Sequence, residues 1–252
     1  MVTFARIGIV PFLTAFGALG IYASYGLTPI LAFLLGFFLI SRVCKYRPFP
    51  SVKREVINDL FHFSSGNYIA RIFEELPRVV LPIMVINVLG AEKNAYFFIA
   101  WQISMLLLAI PRFTSISLLA EGSYNKEELE RNVKRALKFI FILLGFAVAG
   151  VFLLGKYLLL IFGEGYAKNS FEVLSILVLG CIPFAINAVY VSVMRVKRRI
   201  KPVVGVYGGI AIVTIAVSYL LMHEMELVGV GIAWVIANLV VVSGIGIRSI
   251  IY

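Results

Sequence analysis

The amino-acid sequence predicts an all-α, polytopic membrane helix bundle with about eight transmembrane helices. Hydrophobic residues make up 61% of the 252 residues and charged residues only 14%, and the mean hydropathy of +0.99 is far above that of a soluble domain. Apolar runs recur at close to the roughly 20 residues that cross a bilayer core. These runs are unbroken, whereas the strands of a transmembrane barrel alternate between polar and apolar residues.

We expect eight spans, at about residues 7–24, 28–42, 67–89, 94–120, 139–162, 170–194, 202–222 and 227–250. Gly26 and Pro29 favour a turn at residues 25–29, so the first two spans are expected to form a hairpin. The more polar residues 47–66 predict a cytoplasmic linker or a helix lying on the membrane surface. The predicted domains are therefore a transmembrane hairpin (1–46), this linker (47–66) and a six-helix transmembrane lobe (67–252).

The basic residues predict the orientation of the chain. Of the 23 lysine and arginine residues, 17 fall in the two termini and in alternate loops, including Arg195 in the loop between spans six and seven. By the positive-inside rule, both termini are cytoplasmic in a multi-pass protein of the cell membrane. Because topology explains the net charge of +10, we expect the lipid bilayer as a partner and no nucleic acid.

The third predicted span carries four charges: Arg71, Glu74, Glu75 and Arg78. An ionised side chain at the bilayer centre costs about 2.5 to 3.5 kcal/mol on insertion scales, so such residues normally face protein or a wet cavity. Spacings of three and four residues place all four on one helical face, where Arg71 can reach Glu75 and Glu74 can reach Arg78. We predict that this face lines an internal pathway.

Arg112 lies in the fourth predicted span, about eight residues from its cytoplasmic end. Glu74 and Glu75 lie at a similar depth in the antiparallel third span. We therefore expect Arg112 to pair with one of these glutamates. The alternative is that the Arg112 side chain extends to the lipid headgroups.

Two prolines and two polar residues complete the predicted pathway. Pro77 and Pro183 are predicted hinges, because proline removes a backbone hydrogen bond from a helix. Asn187 and Tyr190 follow Pro183 on one helical face. They either line the pathway or bond to a neighbouring helix.

The sequence predicts neither an enzyme nor a cofactor. His62 and His223 lie outside the apolar spans, so they supply no catalytic base or metal site within the membrane. Residues 150–157 resemble a phosphate-binding loop, but Tyr157 stands where serine or threonine is needed to hold a metal ion.

Four stretches together resemble a known transporter family. They are GNYIA at 66–70 with LPIMVINVLGAE at 81–92; AYFFIAWQI at 95–103 through IPR at 110–112 to LLAEGS at 118–123; IFGEGYA at 161–167; and SYLLM at 218–222 with GVGIAW at 229–234. In this order they resemble the polysaccharide flippases of the multidrug/oligosaccharidyl-lipid/polysaccharide exporter superfamily. The resemblance implies a MATE-like fold that moves a polyprenyl- or dolichyl-linked glycan by alternating access, without nucleotide.

The resemblance gives the charged residues candidate roles. The carrier lipid of such a glycan bears phosphate, and arginine can replace the hydration of phosphate with paired hydrogen bonds. Arg71, Arg78 and Arg112 are therefore predicted to bind the substrate headgroup. Glu74 and Glu75 are predicted to couple an ion or to form structural ion pairs, and the alternative for all five is a salt-bridged helix interface without a ligand.

One departure from the family leaves other functions open. The family has two lobes of about six helices each, and the matched motifs place spans three to eight in the second lobe and the first two at the end of the first. Four opening helices are thus missing, so we expect a truncated product, a split transporter or a homodimer. The alternatives are a non-transporting membrane subunit of a glycan-assembly complex and an exporter of small amphipathic compounds.

Overall fold

The structure, a computed structural model, describes residues 17–43, 54–125 and 127–246. The chain divides into two compact units, Met1–Ile57 and Asn58–Tyr252. In the described parts of both units the secondary structure is helical. The prediction of an all-α protein is therefore confirmed.

The first unit contains one described helix, α1 (Gly17–Val43), and the predicted turn at residues 25–29 is wrong. Pro29 lies inside this helix, where it removes one backbone hydrogen bond, a loss that transmembrane helices tolerate. The Thr28 hydroxyl donates to the Ser24 carbonyl oxygen (2.6 Å), so a side chain of the same turn also bonds within the helix. The predicted span at 7–24 lies mostly outside the described residues.

Seven helices lie in the described part of the second unit, and the first of them begins four residues before the unit boundary. They are α2 (Arg54–Leu89), α3 (Ala91–Tyr124), α4 (Leu129–Leu160), α5 (Glu164–Asn169), α6 (Phe171–Leu179), α7 (Cys181–Val196) and α8 (Ile200–Ile245). Helix α7 is enclosed by the others, and 13 of its 16 residues are buried. Aromatic rings pack against α7 in the core. The Trp234 ring of α8 lies 5.2 Å from the Trp101 ring of α3 and 6.0 Å from the Phe184 ring of α7 itself.

Helix α2 joins two predicted segments. The expected surface helix or linker at 47–66 is not a separate element in its described part, because α2 runs from Arg54 to Leu89 without a break at Gly66. Gly66 instead allows the start of α8 to approach α2 closely, since a Cβ at Gly66 would lie 2.4 Å from Ile200 Cγ1. The domain limits at residues 46 and 66 stay a prediction.

Helix α8 contains a reversal at Glu226, whose backbone is not helical (φ 50°, ψ −129°). A Cβ on Gly229 would lie 2.6 Å from the Leu221 carbonyl oxygen, and one on Gly209 would lie 3.2 Å from Val241 Cγ2. The two halves of α8 therefore fold back against each other. This agrees with the predicted separation of the seventh and eighth spans between residues 222 and 227.

Gly180 separates α6 from α7 within the sixth predicted span, although its own backbone is helical (φ −64°, ψ −16°). Pro183 stands in the first turn of α7 and has no N–H to bond the carbonyl of Leu179, the residue that ends α6. The proline thus removes one backbone hydrogen bond close to the α6–α7 junction. Pro77 lies inside the continuous helix α2, and motion at either proline stays a prediction.

Five helical segments of the described chain are long and apolar enough to cross a membrane. They are Tyr22–Leu39, Ala91–Tyr124, Leu129–Leu160, Phe171–Val196 and Ile200–Ile245. The last contains two of the predicted spans, and α2 is excluded because of its charges. Leu106, Phe146 and Leu153 are largely exposed on these helices, as expected of side chains that face lipid.

Candidate functional site

A cavity of about 150 Å³ with both polar and apolar lining residues lies between α2, α3, α7 and α8, and we call it the arginine cavity. Its polar lining consists of Glu74, Arg112, Ser115, Ser192, Arg195 and Tyr207. Each of these side chains belongs to a helix with a mostly apolar sequence. Packing of the apolar helix faces therefore brings the polar side chains together. In the membrane this arrangement shields the charged groups from lipid.

Glu74 and Arg112 form an ion pair across the α2–α3 interface. Arg112 Nη2 lies 3.4 Å from Glu74 Oε1, and the two side chains are only 28% and 20% exposed. The guanidinium carbon of Arg112 lies 5.7 Å from the centre of the Phe184 ring. The predicted pairing of Arg112 with a glutamate is therefore confirmed.

Arg195 brings a second guanidinium group to the cavity from the last turn of α7. Its Nε donates to Asn67 Oδ1 on α2 (3.0 Å), and its guanidinium carbon lies 5.9 Å from the centre of the Tyr207 ring on α8. These contacts tie three helices together. They also fix the orientation of a cation inside the bundle.

The arginine cavity retains hydrogen-bonding groups with no partner. Ser192 Oγ donates to the Ser115 carbonyl oxygen (2.6 Å). By contrast, the buried Ser115 hydroxyl and the buried Nε of Arg112 have no hydrogen-bond partner in the described part of the chain. Because an unsatisfied buried polar group costs about 1 to 3 kcal/mol, these atoms favour a polar occupant.

A larger cavity of about 600 Å³ adjoins the arginine cavity, since Leu119 and Arg195 line both. It extends to Ser123, near the end of α3, and to Arg198, which follows α7. The described residues that line the two cavities include three arginines and one carboxylate, Glu74. The combined space therefore carries a positive charge that favours an anion.

The other three charges of the predicted third span, Arg71, Glu75 and Arg78, are not among the residues that line either cavity. Arg78 Nη1 pairs with Glu75 Oε2 (2.8 Å) with about 40% exposure of each side chain, and Arg78 Nη2 lies 3.6 Å from Met105 Sδ. The predicted pairing of Arg78 with Glu74 is therefore wrong, because Arg112 on α3 holds Glu74. Arg71 is exposed and forms no ion pair with any described residue, so its predicted pairing with Glu75 is not formed.

Asn187 and Tyr190 are buried in the α7 core and line neither cavity. Asn187 Nδ2 donates to the backbone oxygen of Asn238 on α8 (3.2 Å). Of the two alternatives for Asn187, the structure therefore agrees with a hydrogen bond to a neighbouring helix and not with a pathway-lining residue. Tyr190 packs within the hydrophobic core.

The sequence reasoning missed Arg195 as a candidate. It stands among five basic residues between 195 and 201, which together predict a cytoplasmic loop. Helix α7 continues to Val196, however, and turns Arg195 toward α2 and α8. Arg195 directly follows an apolar helical run, and this position was the available signal that it belongs to the helix and not to the loop.

Comparisons with known proteins agree with this architecture. Residues 1–170 match the model of a family described as "Polysaccharide biosynthesis protein". A protein of Shigella flexneri, "Putative O-antigen transporter", is 25% identical over 178 residues, which are 69% of this chain and 43% of that protein. The chain therefore spans less than half the length of this relative.

Solved transporter structures share the fold. MATE in complex with MaL6 has a TM-score of 0.76 at 19% identity, over 95% of this chain and 58% of that chain. A MOP superfamily transporter from Pyrococcus furiosus has a TM-score of 0.75 at 19% identity, over 95% and 57%. The lipid II flippase MurJ has 0.62 at 16% identity, over 98% and 55%.

The family match covers about two thirds of the sequence, and the structural likeness extends along nearly the whole chain. Together with the described helices they establish a multi-pass membrane protein of MATE-like fold. The chain belongs to the polysaccharide biosynthesis protein family and has the fold of the MOP superfamily transporters.

Proposed function

We propose that this protein takes part in moving lipid-linked oligosaccharide across the membrane by alternating access. The observation that carries the proposal is the arginine cavity, in which Arg112 and Arg195 face one space and Glu74 is the one carboxylate among the described lining residues. A polyprenyl- or dolichyl-linked glycan carries a phosphate or pyrophosphate that must cross hydrocarbon. The cavity offers that group charge-assisted hydrogen bonds in place of water.

The two cavities suit different parts of such a substrate. The arginine cavity, at about 150 Å³, is small and lined by donors, so it suits the phosphate group. The adjoining cavity of about 600 Å³ lies in the range of roughly 300 to 1,000 Å³ that is usual for ligand pockets. It would receive the first sugars, which need polar groups and room.

Glu74 compensates the charge of the cavity when no substrate is bound. Its carboxylate neutralises Arg112, and an arriving phosphate would compete for the same guanidinium group. Release of Glu74 would leave a carboxylate inside the bundle, where uptake of a proton or cation is favourable. This supports the predicted coupling role of Glu74, whereas Glu75 is held by Arg78 at a more exposed site.

A homodimer or a separate subunit forms part of the proposal. Arg71 is exposed on α2, and the Glu75–Arg78 pair is about 40% exposed. Contact of these groups with lipid tails would be costly, so a protein partner or a wet cleft would cover this face. In such an assembly Arg71 and Arg78 would serve as the predicted headgroup contacts.

Substitution of both cavity arginines tests the proposal in cells. The variant with Arg112→Gln and Arg195→Gln should lower surface polysaccharide at least tenfold, since each charge-assisted hydrogen bond contributes about 1.5 to 3 kcal/mol. Lipid-linked intermediate should accumulate at the cytoplasmic face. Arg199→Gln is the matched control, because Arg199 is exposed and lines neither cavity.

The alternatives predict different results in the same cells. A non-transporting subunit of a glycan-assembly complex would tolerate loss of both arginines at unchanged protein abundance. An exporter of small amphipathic cations would gain from the loss of positive charge. Unchanged surface polysaccharide in the double variant would contradict the proposed transport role.

A further inference from the structure

A further cavity, separate from the two described above, is a groove of about 410 Å³ between α3 and α4. We call it the α3–α4 groove. Residues 113–121 of α3 and 132–139 of α4 contribute its lining. None of its lining residues lines the arginine cavity or the adjoining cavity of about 600 Å³.

The groove changes from polar to apolar along the helix axes. Glu121, Asn132 and Arg135 line the end near the α3–α4 connection, while Phe113 and Phe139 line the opposite end. Phe113 is 70% and Phe139 53% exposed, as expected of side chains that face lipid. The nine residues from 113 to 121 span about 12 Å of helix, which is comparable to a headgroup and the first part of its acyl chains.

The polar end carries one cation and one anion that do not pair with each other. Among residues 54–125 and 127–246, Arg135 has no ion-pair partner, whereas its neighbours Arg131 and Lys134 pair with Glu128 and Glu130. Glu121 accepts one long hydrogen bond, from the Ser117 hydroxyl (3.4 Å). Both charges thus remain available to a ligand that carries the two opposite charges.

We propose that the α3–α4 groove binds a phospholipid with a primary ammonium headgroup, that is, one of the phosphatidylethanolamine class. Arg135 and Asn132 donate hydrogen bonds to its phosphate, and Glu121 accepts from its ammonium group. The aromatic side chains contact its acyl chains. Phosphatidylcholine fits less well because its trimethylammonium group has no N–H, and phosphatidylglycerol lacks the cation that Glu121 needs.

Lipid binding to the purified full chain tests this site. Native mass spectrometry would compare phosphatidylethanolamine, phosphatidylcholine and phosphatidylglycerol with identical acyl chains. We expect phosphatidylethanolamine to be retained about fivefold better than either competitor, the factor given by roughly 1 kcal/mol from one partly exposed ion pair. Glu121→Gln should abolish this preference and favour phosphatidylglycerol, and Arg135→Gln should weaken retention of all three phospholipids.

Lys138→Gln is the matched control, because Lys138 is an exposed basic residue of α4 that does not line the groove. It should leave the order of preference unchanged. Equal retention of the three lipids, or an unchanged preference in Glu121→Gln, would show annular contact alone and overturn the proposal. Glu121 and Arg135 are exposed, so the folded state should tolerate both substitutions.

Discussion

At the residue scale, Glu74 has two opposing effects on the arginine cavity. Its carboxylate compensates the positive charge of Arg112 within the bundle, which stabilises the empty protein. The same carboxylate would compete with an anionic substrate for that guanidinium group. If Glu74 only stabilised the helix interface, its carboxylate would not weaken the binding of an anionic ligand.

We predict that Glu74→Gln lowers stability while it raises affinity for a phosphate-bearing headgroup. Loss of the carboxylate leaves the part-buried Arg112 without its counter-ion, so the free energy of unfolding should fall by about 1 to 3 kcal/mol. Thermal unfolding of the purified protein measures this change. Glu75→Gln is the control, because its more exposed pair with Arg78 should contribute less than about 1 kcal/mol. A larger loss in Glu75→Gln than in Glu74→Gln would contradict the assignment.

At the element scale, the interruption at Gly180 separates α6 from α7 beside the core of the bundle. A Cβ on Gly180 would lie 2.5 Å from Trp234 Cδ1, so the absence of a side chain lets α8 approach the break. Trp234 in turn packs against Trp101 and Phe184. The position of α7, and with it Arg195, therefore depends on this contact.

We predict that Gly180→Ala destabilises the protein by about 1 to 3 kcal/mol, the usual cost of overpacking a core. The added methyl group must displace the Trp234 ring. Gly205→Ala, in the open part of α8, is the control and should be neutral or stabilising by up to about 1 kcal/mol, because alanine favours helix. Equal melting temperatures for the two variants would show that Trp234 adapts freely.

At the scale of the whole molecule, the distribution of basic residues predicts which ends of the helices face the cytoplasm. Lys134 near the start of α4 should lie inside, and Lys168 in α5 should lie outside. Both side chains are exposed. The arginine cavity and its larger neighbour would then open toward the cytoplasmic side.

Cysteine labelling of intact cells tests this orientation. In a Cys44→Ser background, a membrane-impermeant thiol reagent should modify Lys168→Cys and should not modify Lys134→Cys until the cells are opened. The native Cys181 is buried and should stay unmodified. Labelling of Lys134→Cys in intact cells would reverse the predicted topology.

The fold class and the pairing of Arg112 with one of the two glutamates could be predicted from the sequence, because apolar length and depth along each span can be read from the sequence. The turn expected at Gly26 and Pro29 is wrong because the residues on both sides of Pro29 continue one helix, in which the loss of one backbone hydrogen bond is tolerated. Arg195 was missed for a different reason. Its contacts with Asn67 and Tyr207 join residues far apart in the chain, and no local pattern reports such contacts.

The most direct test of the arginine cavity is the equilibrium binding of a short-chain polyprenyl pyrophosphate to the purified full-length chain. We predict saturable binding that weakens at least tenfold when Arg112→Gln and Arg195→Gln are combined, as expected for the loss of charge-assisted hydrogen bonds. Arg199→Gln should bind like the unmodified protein. Equal affinity of the double variant and the unmodified protein would contradict a role of the arginine cavity in headgroup binding.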